Sequence, residues 1–347
     1  MTLTTYFSDF INNISLTKEQ KEKLQDAHTG LQEFLAKEES ISDVYVTTFL
    51  QGSYRRSTAL KPVNGEVSDV DVVLVTTVDY KTTKPSAFLK RFYDLISSHY
   101  RHCRMQGRSI GIELESVSMD LVPVAVINPN RNLPGSFIKM YRNSTTLENL
   151  MTNSPLPESD SAAYSPNNPL MLSDRKTEEW ERTHPLAQLE WTHDKNKRCN
   201  GYFLHVVKAI KWWHKYKYPE QEHPNSYPLE HFIGECCPDY IESVAEGVVK
   251  TFETMLQYNE KPNLPDRGVP EHDVFGGVTE AEYKSFYNAV SKAASLARQA
   301  YDCTGIEESA ILWCQLFGSE FPTPPKKQVS FTNRTEPTTA VPRGNFA

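Results

Sequence analysis

Asp69 and Asp71 are the residues of this 347-residue chain whose placement most directly implies chemistry. They open the run SDVDVVLVT, and side chains at i and i+2 of a β-strand share one face. Two carboxylates side by side repel each other, a cost that makes sense where a divalent cation lies between them. Aspartate oxygens are hard ligands of the kind Mg²⁺ prefers. Just upstream, Gln51-Gly52-Ser53 follows the β-forming stretch VYVTTFL. A glycine lets the backbone approach a phosphate closely, with N–H donors and a hydroxyl at hand. A third acid, Asp120, stands between Met119 and Leu121 in IGIELESVSMDLVPVAVI. A lone carboxylate in such a strand needs a partner, and a metal site shared with Asp69 and Asp71 supplies one. The competing reading makes Asp-Val-Asp a solvated strand face and Asp120 half of a salt bridge. Gly-Ser upstream and the acidic strand downstream favour the metal site.

Several elements must position these groups. Residues 1–40 read as helical, with a capping box at Thr17-Lys18-Glu19-Gln20 and apolar Leu24, Leu31, Phe34 and Leu35 following. Residues 44–50 form the strand that delivers Gly52 and Ser53, and Asn64-Gly65 marks a turn before the acidic strand. Pro85 to Tyr100 reads as a helix with Phe88, Phe92, Leu95 and Ile96 inward. Residues 128–180 are rich in Pro, Asn and Ser, and read as a crossover and loop region beside a nucleotide pocket. Helical spacing returns over 197–218, where Phe203, Val206, Val207, Ile210 and Trp213 make a core stripe. On local grounds Lys208 and Lys211 are assigned to the solvated face of that helix. Residues 227–258 and 279–302 also read as helices. The expected fold is α/β (α+β): a mixed-sheet lobe over 1–180, to which the N-terminal helix adds a joining spine, and a mostly helical lobe over 181–319. Residues 320–347, Pro/Thr-rich, are expected to be a disordered tail.

Composition narrows the function classes. Hydrophobic residues make up 39% and charged residues 23%, as in an ordinary water-soluble globular protein. No apolar run approaches the roughly 20 residues that span a bilayer. The N-terminus lacks the basic segment of a signal peptide, so a cytoplasmic location without membrane contact is expected. The net charge of −7 argues against a large nucleic-acid surface. Six cysteines without a Cys-x-x-Cys pair are expected to be reduced thiols.

Gly-Ser followed by Asp-x-Asp and a later strand acid resembles the nucleotidyltransferase superfamily of polymerase-beta type. The loop between Ser53 and Asp69 is longer than the minimal pattern. The run VVKAIKWW followed by Ser226-Tyr227 resembles the helical lobe of cyclic GMP–AMP synthase and oligoadenylate synthase relatives. That resemblance implies that Lys211 and Ser226 contact phosphate and that Tyr227 stacks on a base. A base stacked on an aromatic face contributes roughly 1–3 kcal/mol. The stretches TFLQGSYRRSTAL, SDVDVVLVT, QGRSIGIELE, DLVP, WERTHPLAQLEWT, KNKRCNGYF, AIKWW and SYPLEHFIG, taken in order, resemble bacterial cGAS/DncV-like nucleotidyltransferases of anti-phage signalling. They are most similar to the clade that makes cyclic trinucleotides. Trp180, Thr183-His184-Pro185 and Asn200 match that clade as well.

The resemblance implies a synthase that joins ATP, with GTP as a second substrate, into a ring with loss of pyrophosphate. Two Mg²⁺ ions (Mn²⁺ as an alternative) would be held by Asp69, Asp71 and Asp120, and Gln51, Gly52 and Ser53 would join the nucleotide pocket. It also implies a downstream cyclic-nucleotide effector. A ubiquitin-transfer-like enzyme would act on the C-terminal carboxylate, which makes Ala347 the expected conjugation point. Two other readings stand beside this one. An RNA-terminal nucleotidyltransferase of poly(A) or CCA type uses the same acids but needs a primer. A non-catalytic nucleotide-binding protein would have no use for an intact acidic trio.

Overall fold

The computed structural model describes residues 2–63, 65–127 and 169–324. The chain opens with two helices, α1 (Thr4–Ile14) and α2 (Lys18–Lys37). Thr17 and Gln20 form the expected capping box, each side chain taking the other's backbone N–H. A helix of 3-10 type then leads to β1 (Tyr45–Gln51), the single turn α3 (Gly52–Arg55), β2 (Ser68–Thr76) and α4 (Pro85–His99). Next come β3 (Cys103–Met105), β4 (Ile110–Glu113) and β5 (Val117–Val126). After the undescribed segment, β6 (Leu170–Asp174) and β7 (Glu179–Thr183) form a hairpin.

These strands make one seven-stranded mixed sheet, in the order β1-β2-β5-β4-β3, with β6 and β7 continuing from the second half of β5. Strands β2 and β5 are parallel and pair from Ser68–Val117 to Thr76–Ala125, whereas the other pairs are antiparallel. Alternation fixes what each face does. Val70, Val72 and Leu74 of β2, with Met119 and Leu121 of β5, bury against α2 and α4. On the opposite face the far ends of the strands, Val73, Val75, Val124 and Val126, cluster with Leu170 of the neighbouring β6 and with Leu186. The near ends of that same face carry Asp69, Asp71 and Asp120 and stay open.

The second lobe is helical: α5 (Pro185–Arg198), α6 (Phe203–Lys217), α7 (Ser226–Cys236), α8 (Val244–Met255), α9 (Glu280–Asp302) and α10 (Ile306–Phe317). All five residues of the expected stripe on α6 are buried. The helix does not begin at 197, because Asn200 and Gly201 take left-handed backbone conformations (φ +53° and +83°) and break it from α5. α1 packs with the helical lobe through Phe7 and Phe10, and α2 packs on the sheet through Leu24, Leu31 and Leu35. The N-terminal helix pair therefore joins the two cores.

Four expectations need correction. Lys208 and Lys211 are not on a solvated face, since both are more than nine-tenths buried. Their partners lie far away in sequence, at Ser15 and at Thr58 with Glu230. Second, the last part of 128–180 is regular strand rather than loop, its pairing supplied by β5; residues 128–168 lie outside the described residues. Third, the expected lobe boundary at 180 falls inside β7. Fourth, the chain is still packed at 320–321: Glu320 pairs with Lys61, and Phe321 is fully buried against Phe7 and Phe10. An isolated phenylalanine in a Pro/Thr-rich stretch gains as much from a prepared aromatic pocket as one in a periodic helix. The conjugation point expected at Ala347 lies outside the described residues. No described helix is long and apolar enough to cross a membrane.

Candidate active site

Pairing register brings the carboxylates together. Asp71 is the register partner of Asp120 on the parallel neighbour β5 and of Gln51 on the antiparallel neighbour β1. Asp69 lies two residues back on the same face. Among the described residues, Asp69, Asp71 and Asp120 form a group in which each offers a carboxylate oxygen within 4.8 Å of the others.

Gly52 closes this group from the β1 side. Its φ is +70°, and a Cβ built there would lie 1.8 Å from Asp71 Oδ2. A side chain at position 52 would therefore be strained and would also displace a metal-ligand candidate. At the other end, Gln106 donates from Nε2 to Asp120 Oδ1 at 2.8 Å, which fixes the orientation of that carboxylate.

The electrostatics fit a cation. The surrounding protein desolvates the Asp69 carboxyl, and Asp71 and Asp120 add repulsion, so its pKa is pushed up to about 7 against a hydrogen bond from Ser118. Burial and then Asp120 raise Asp71, while Arg56 and Lys211 pull it back. Burial raises Asp120 against Arg104 and Gln106. Three acids that resist ionisation together, with oxygens close enough to share an ion, match the donor set for a hard divalent cation.

A cavity of about 550 Å³ opens over this cluster. Its lining includes Gln51, Gly52, Ser53, Asp69 and Asp71 from the sheet lobe, with Ser226 and Tyr227 from the helical lobe. That volume lies in the range of small-molecule sites. Most of the residues expected to touch nucleotide thus converge on one space, with Asp120 beside it. Lys211 is the exception. It faces an adjoining cavity of about 420 Å³, and Ser53, Asn225 and Ser226 form the common wall.

Lys211 also belongs to a network that local spacing could not reveal. Glu230 on α7 accepts from Lys211 Nζ at 2.6 Å, from Arg56 Nε at 3.0 Å and from Thr58 Oγ1 at 2.9 Å. Burial alone would raise the Glu230 pKa, but the two cations hold it down at about 2. The network ties the segment after α3 to α6 and α7 directly behind the cavity. One signal was present in the sequence: a lone Glu inside the apolar run LEHFIG needs a cationic partner.

Tyr227 is held on several sides, its ring edge-on to that of His231. Its hydroxyl donates to Asp266 Oδ2 at 2.5 Å, and the Arg56 guanidinium sits 5.4 Å from its ring centroid. Gln188 Nε2 donates to the same carboxylate oxygen at 3.2 Å. The motif residues without an assigned role prove architectural. Trp180 donates from Nε1 to Thr83 O and packs on Phe88. His184 caps α5 by accepting from Ala187 N, and Pro185 takes the first turn. Asn200 occupies the left-handed break and donates to Ile241 O.

A mixed sheet with three clustered strand carboxylates, a Gly-Ser turn beside them and a helical lobe across the cleft defines a nucleotidyltransferase of polymerase-beta type. Residues 1–134 match the family described as the Second Messenger Oligonucleotide or Dinucleotide Synthetase domain. The cyclic AMP-AMP-GMP synthase of Enterobacter hormaechei subsp. hoffmannii is 36% identical, covering 100% of both chains. The cyclic AMP-AMP-AMP synthase of an Acinetobacter strain is 27% identical, covering 93% of this chain and 86% of its own. The structure of CdnC from E. coli MS115-1 with ATP superimposes with a TM-score of 0.67 at 15% identity, covering 92% of this chain and 98% of that one. The chain belongs to the bacterial cGAS/DncV-like family of cyclic oligonucleotide synthases.

Proposed function

We propose that this enzyme makes a cyclic trinucleotide second messenger from ATP and GTP, using Mg²⁺ held by Asp69, Asp71 and Asp120. The observation that carries the reading is the rung on which Gln51, Asp71 and Asp120 stand side by side. Full-length similarity to a synthase whose product combines two AMP units and one GMP unit supports the trinucleotide.

In each condensation, a ribose hydroxyl oxygen of the acceptor bonds to the α-phosphorus of the donor. The bond from that phosphorus to the bridging oxygen breaks, pyrophosphate departs, and the hydroxyl proton passes to solvent. The last condensation uses the two ends of one linear intermediate and closes the ring. Bound Mg²⁺ supplies Lewis-acid stabilisation of the attacking and leaving oxygens.

The chain's own residues orient these partners. Gly52 and Ser53 let backbone and hydroxyl approach the donor phosphates, and Ser226 contacts them from across the cleft. Tyr227, its plane fixed by Asp266 and Arg56, stacks on the donor base. Lys211 acts on phosphate from the Ser53–Ser226 wall as part of its Glu230 network, not as a free ammonium. Asp120 is two strands from β1, so it serves the side of the acceptor hydroxyl.

Incubation with ATP, GTP, CTP and UTP and no primer should yield a phosphatase-resistant cyclic product of two adenylates and one guanylate by mass spectrometry. Product that forms only on an added RNA primer would instead support a terminal nucleotidyltransferase. The sequence resemblance also supports a conjugating enzyme that acts at Ala347. Mass spectrometry of the C-terminus after co-expression with such an enzyme would test it.

A further inference from the structure

The rung that carries the catalytic acids does not stop at Asp120. Asp120 pairs in register with Gly111 on β4, and Gly111 pairs with Arg104 on the edge strand β3. Residues paired in register on neighbouring strands point to the same side of a sheet. Arg104 therefore stands on the open, catalytic face, and its flanking residues confirm this. Cys103 and Met105 pack into the core on the other side of the sheet. The full rung reads Gln51, Asp71, Asp120, Gly111, Arg104 from β1 to β3.

Gly111 has the smallest possible side chain at the one position that separates Arg104 from Asp120. A Cβ there would lie 3.0 Å from Gln106 Nε2 and 3.4 Å from Asp120 Oδ1. The missing side chain at Gly111 leaves room for the Gln106 amide, which lies over the rung and donates to Asp120, and no side chain of β4 itself stands between the acid and Arg104. Among the described residues the other arginines beside this site are engaged: Arg108 pairs with Asp174 and Glu181, and Arg175 donates to Gln106 O. Arg104 is exposed, and its charge acts on Asp120 across the rung without a described ion pair to it. Two strand spacings of about 4.8 Å separate its backbone from that of Asp120. A long side chain spans that distance to a group held beside the acid.

We propose that Arg104 binds the phosphate groups of the acceptor, first the triphosphate of a nucleotide and then a phosphodiester of the linear intermediate. This rests on the reading of Asp69, Asp71 and Asp120 as the catalytic acids. The donor occupies the Gly52–Ser53 end of the rung, and its leaving pyrophosphate is accounted for there. The acceptor hydroxyl must come to Asp120 from the other end, which carries its own phosphates toward β3. A guanidinium is suited to this task because it pairs with phosphate oxygens through two parallel N–H donors and stays charged at every working pH.

The test separates acceptor from donor. 2′,3′-Dideoxy-ATP has no ribose hydroxyl to extend and serves only as donor. α,β-Methylene-ATP cannot release pyrophosphate and serves only as acceptor, and adenosine is the acceptor without phosphate. The wild-type enzyme should prefer the α,β-methylene-ATP acceptor over adenosine by about tenfold or more in kcat/KM, as expected for a charged hydrogen bond to phosphate. Arg104→Gln should lose most of that preference through acceptor KM, with kcat on adenosine at saturating Mg²⁺ unchanged. Arg104→Lys should restore part of it. An unaltered preference in Arg104→Gln overturns the proposal. So does a change confined to the Mg²⁺ midpoint, which would make Arg104 only a counter-charge to Asp120. Failure of the catalytic reading itself looks different: wild-type dinucleotide formation would survive Asp69→Asn with Asp71→Asn.

Discussion

A single oxygen shows how tightly the site is drawn: the Cβ that Gly52 lacks would overlap Asp71 Oδ2. Gly52→Ala should lower synthesis by on the order of 10² or more, because it adds strain at φ +70° and pushes a ligand aside. Steady-state rates that fall this far under conditions where the melting curve shows the variant still folded would support this; wild-type turnover would show that the turn adapts. The acids themselves give a sharper test. Asp69→Asn with Asp71→Asn should reduce synthesis by at least on the order of 10³. The pH dependence follows from Asp69, whose pKa rises from 3.8 in the unfolded chain to about 7 in the fold. Between those values the folded state binds more protons, so metal-free stability falls as pH rises toward 7 and the penalty is complete above it. Mg²⁺ competes with those protons. The Mg²⁺-induced rise in Tm should therefore be larger at pH 8 than at pH 5.5, and equal rises would contradict the metal assignment. The Asn pair should also gain Tm over the metal-free wild type at pH 8 and not at pH 5.5.

At the scale of elements, the site divides into what period-two alternation revealed and what only three-dimensional packing could. The trio was legible because Asp69 and Asp71 share a face by spacing, and because an acid amid Met119 and Leu121 needs a partner close by. Register then did the rest, setting Asp120 beside Asp71. The hairpin β6–β7 was not legible. EWERT has no alternating apolar set, and its strand character comes from pairing with LMLSD. The burial of Lys211 was equally hidden, because its partner Glu230 lies one helix further on and Arg56 is 174 residues before that glutamate. Glu230 joins α3, α6 and α7, so its removal should act on structure before chemistry. Glu230→Gln leaves two buried cations without a counter-charge and should cost at least about 3 kcal/mol by denaturant unfolding. A loss below about 1 kcal/mol would mean that water reaches Arg56 and Lys211. Tyr227 separates the other way. Tyr227→Phe keeps the ring but loses the hydrogen bond to Asp266, so it should retain more nucleotide-induced Tm shift than Tyr227→Ala. Equal loss in both would assign the residue to the Asp266 contact rather than to a base stack.

On the scale of the whole molecule, two hydrophobic cores flank the cavity, and the first 37 residues belong to both. α2 is part of the sheet core and α1 of the helical one. Between the cores the buried Arg56–Glu230–Lys211 network supplies polar contact where the cavity needs its back wall. This division makes the helical side separable in energy from the acids. Phe10 is fully buried, its ring 4.5 Å from that of Phe317 and 5.4 Å from that of Phe321. Phe10→Ala should cost about 3–5 kcal/mol, the usual range for a phenylalanine removed from a closed core. If the cores open independently, hydrogen exchange in Phe10→Ala should accelerate in α1 and α10, while amides of β2 and β5 keep wild-type rates. Mg²⁺ should then still protect β2, since the carboxylates hang from the sheet core. Equal acceleration in β2 and β5 would mean that the two lobes unfold as one cooperative unit, with the N-terminal helix pair as the clasp that makes them one.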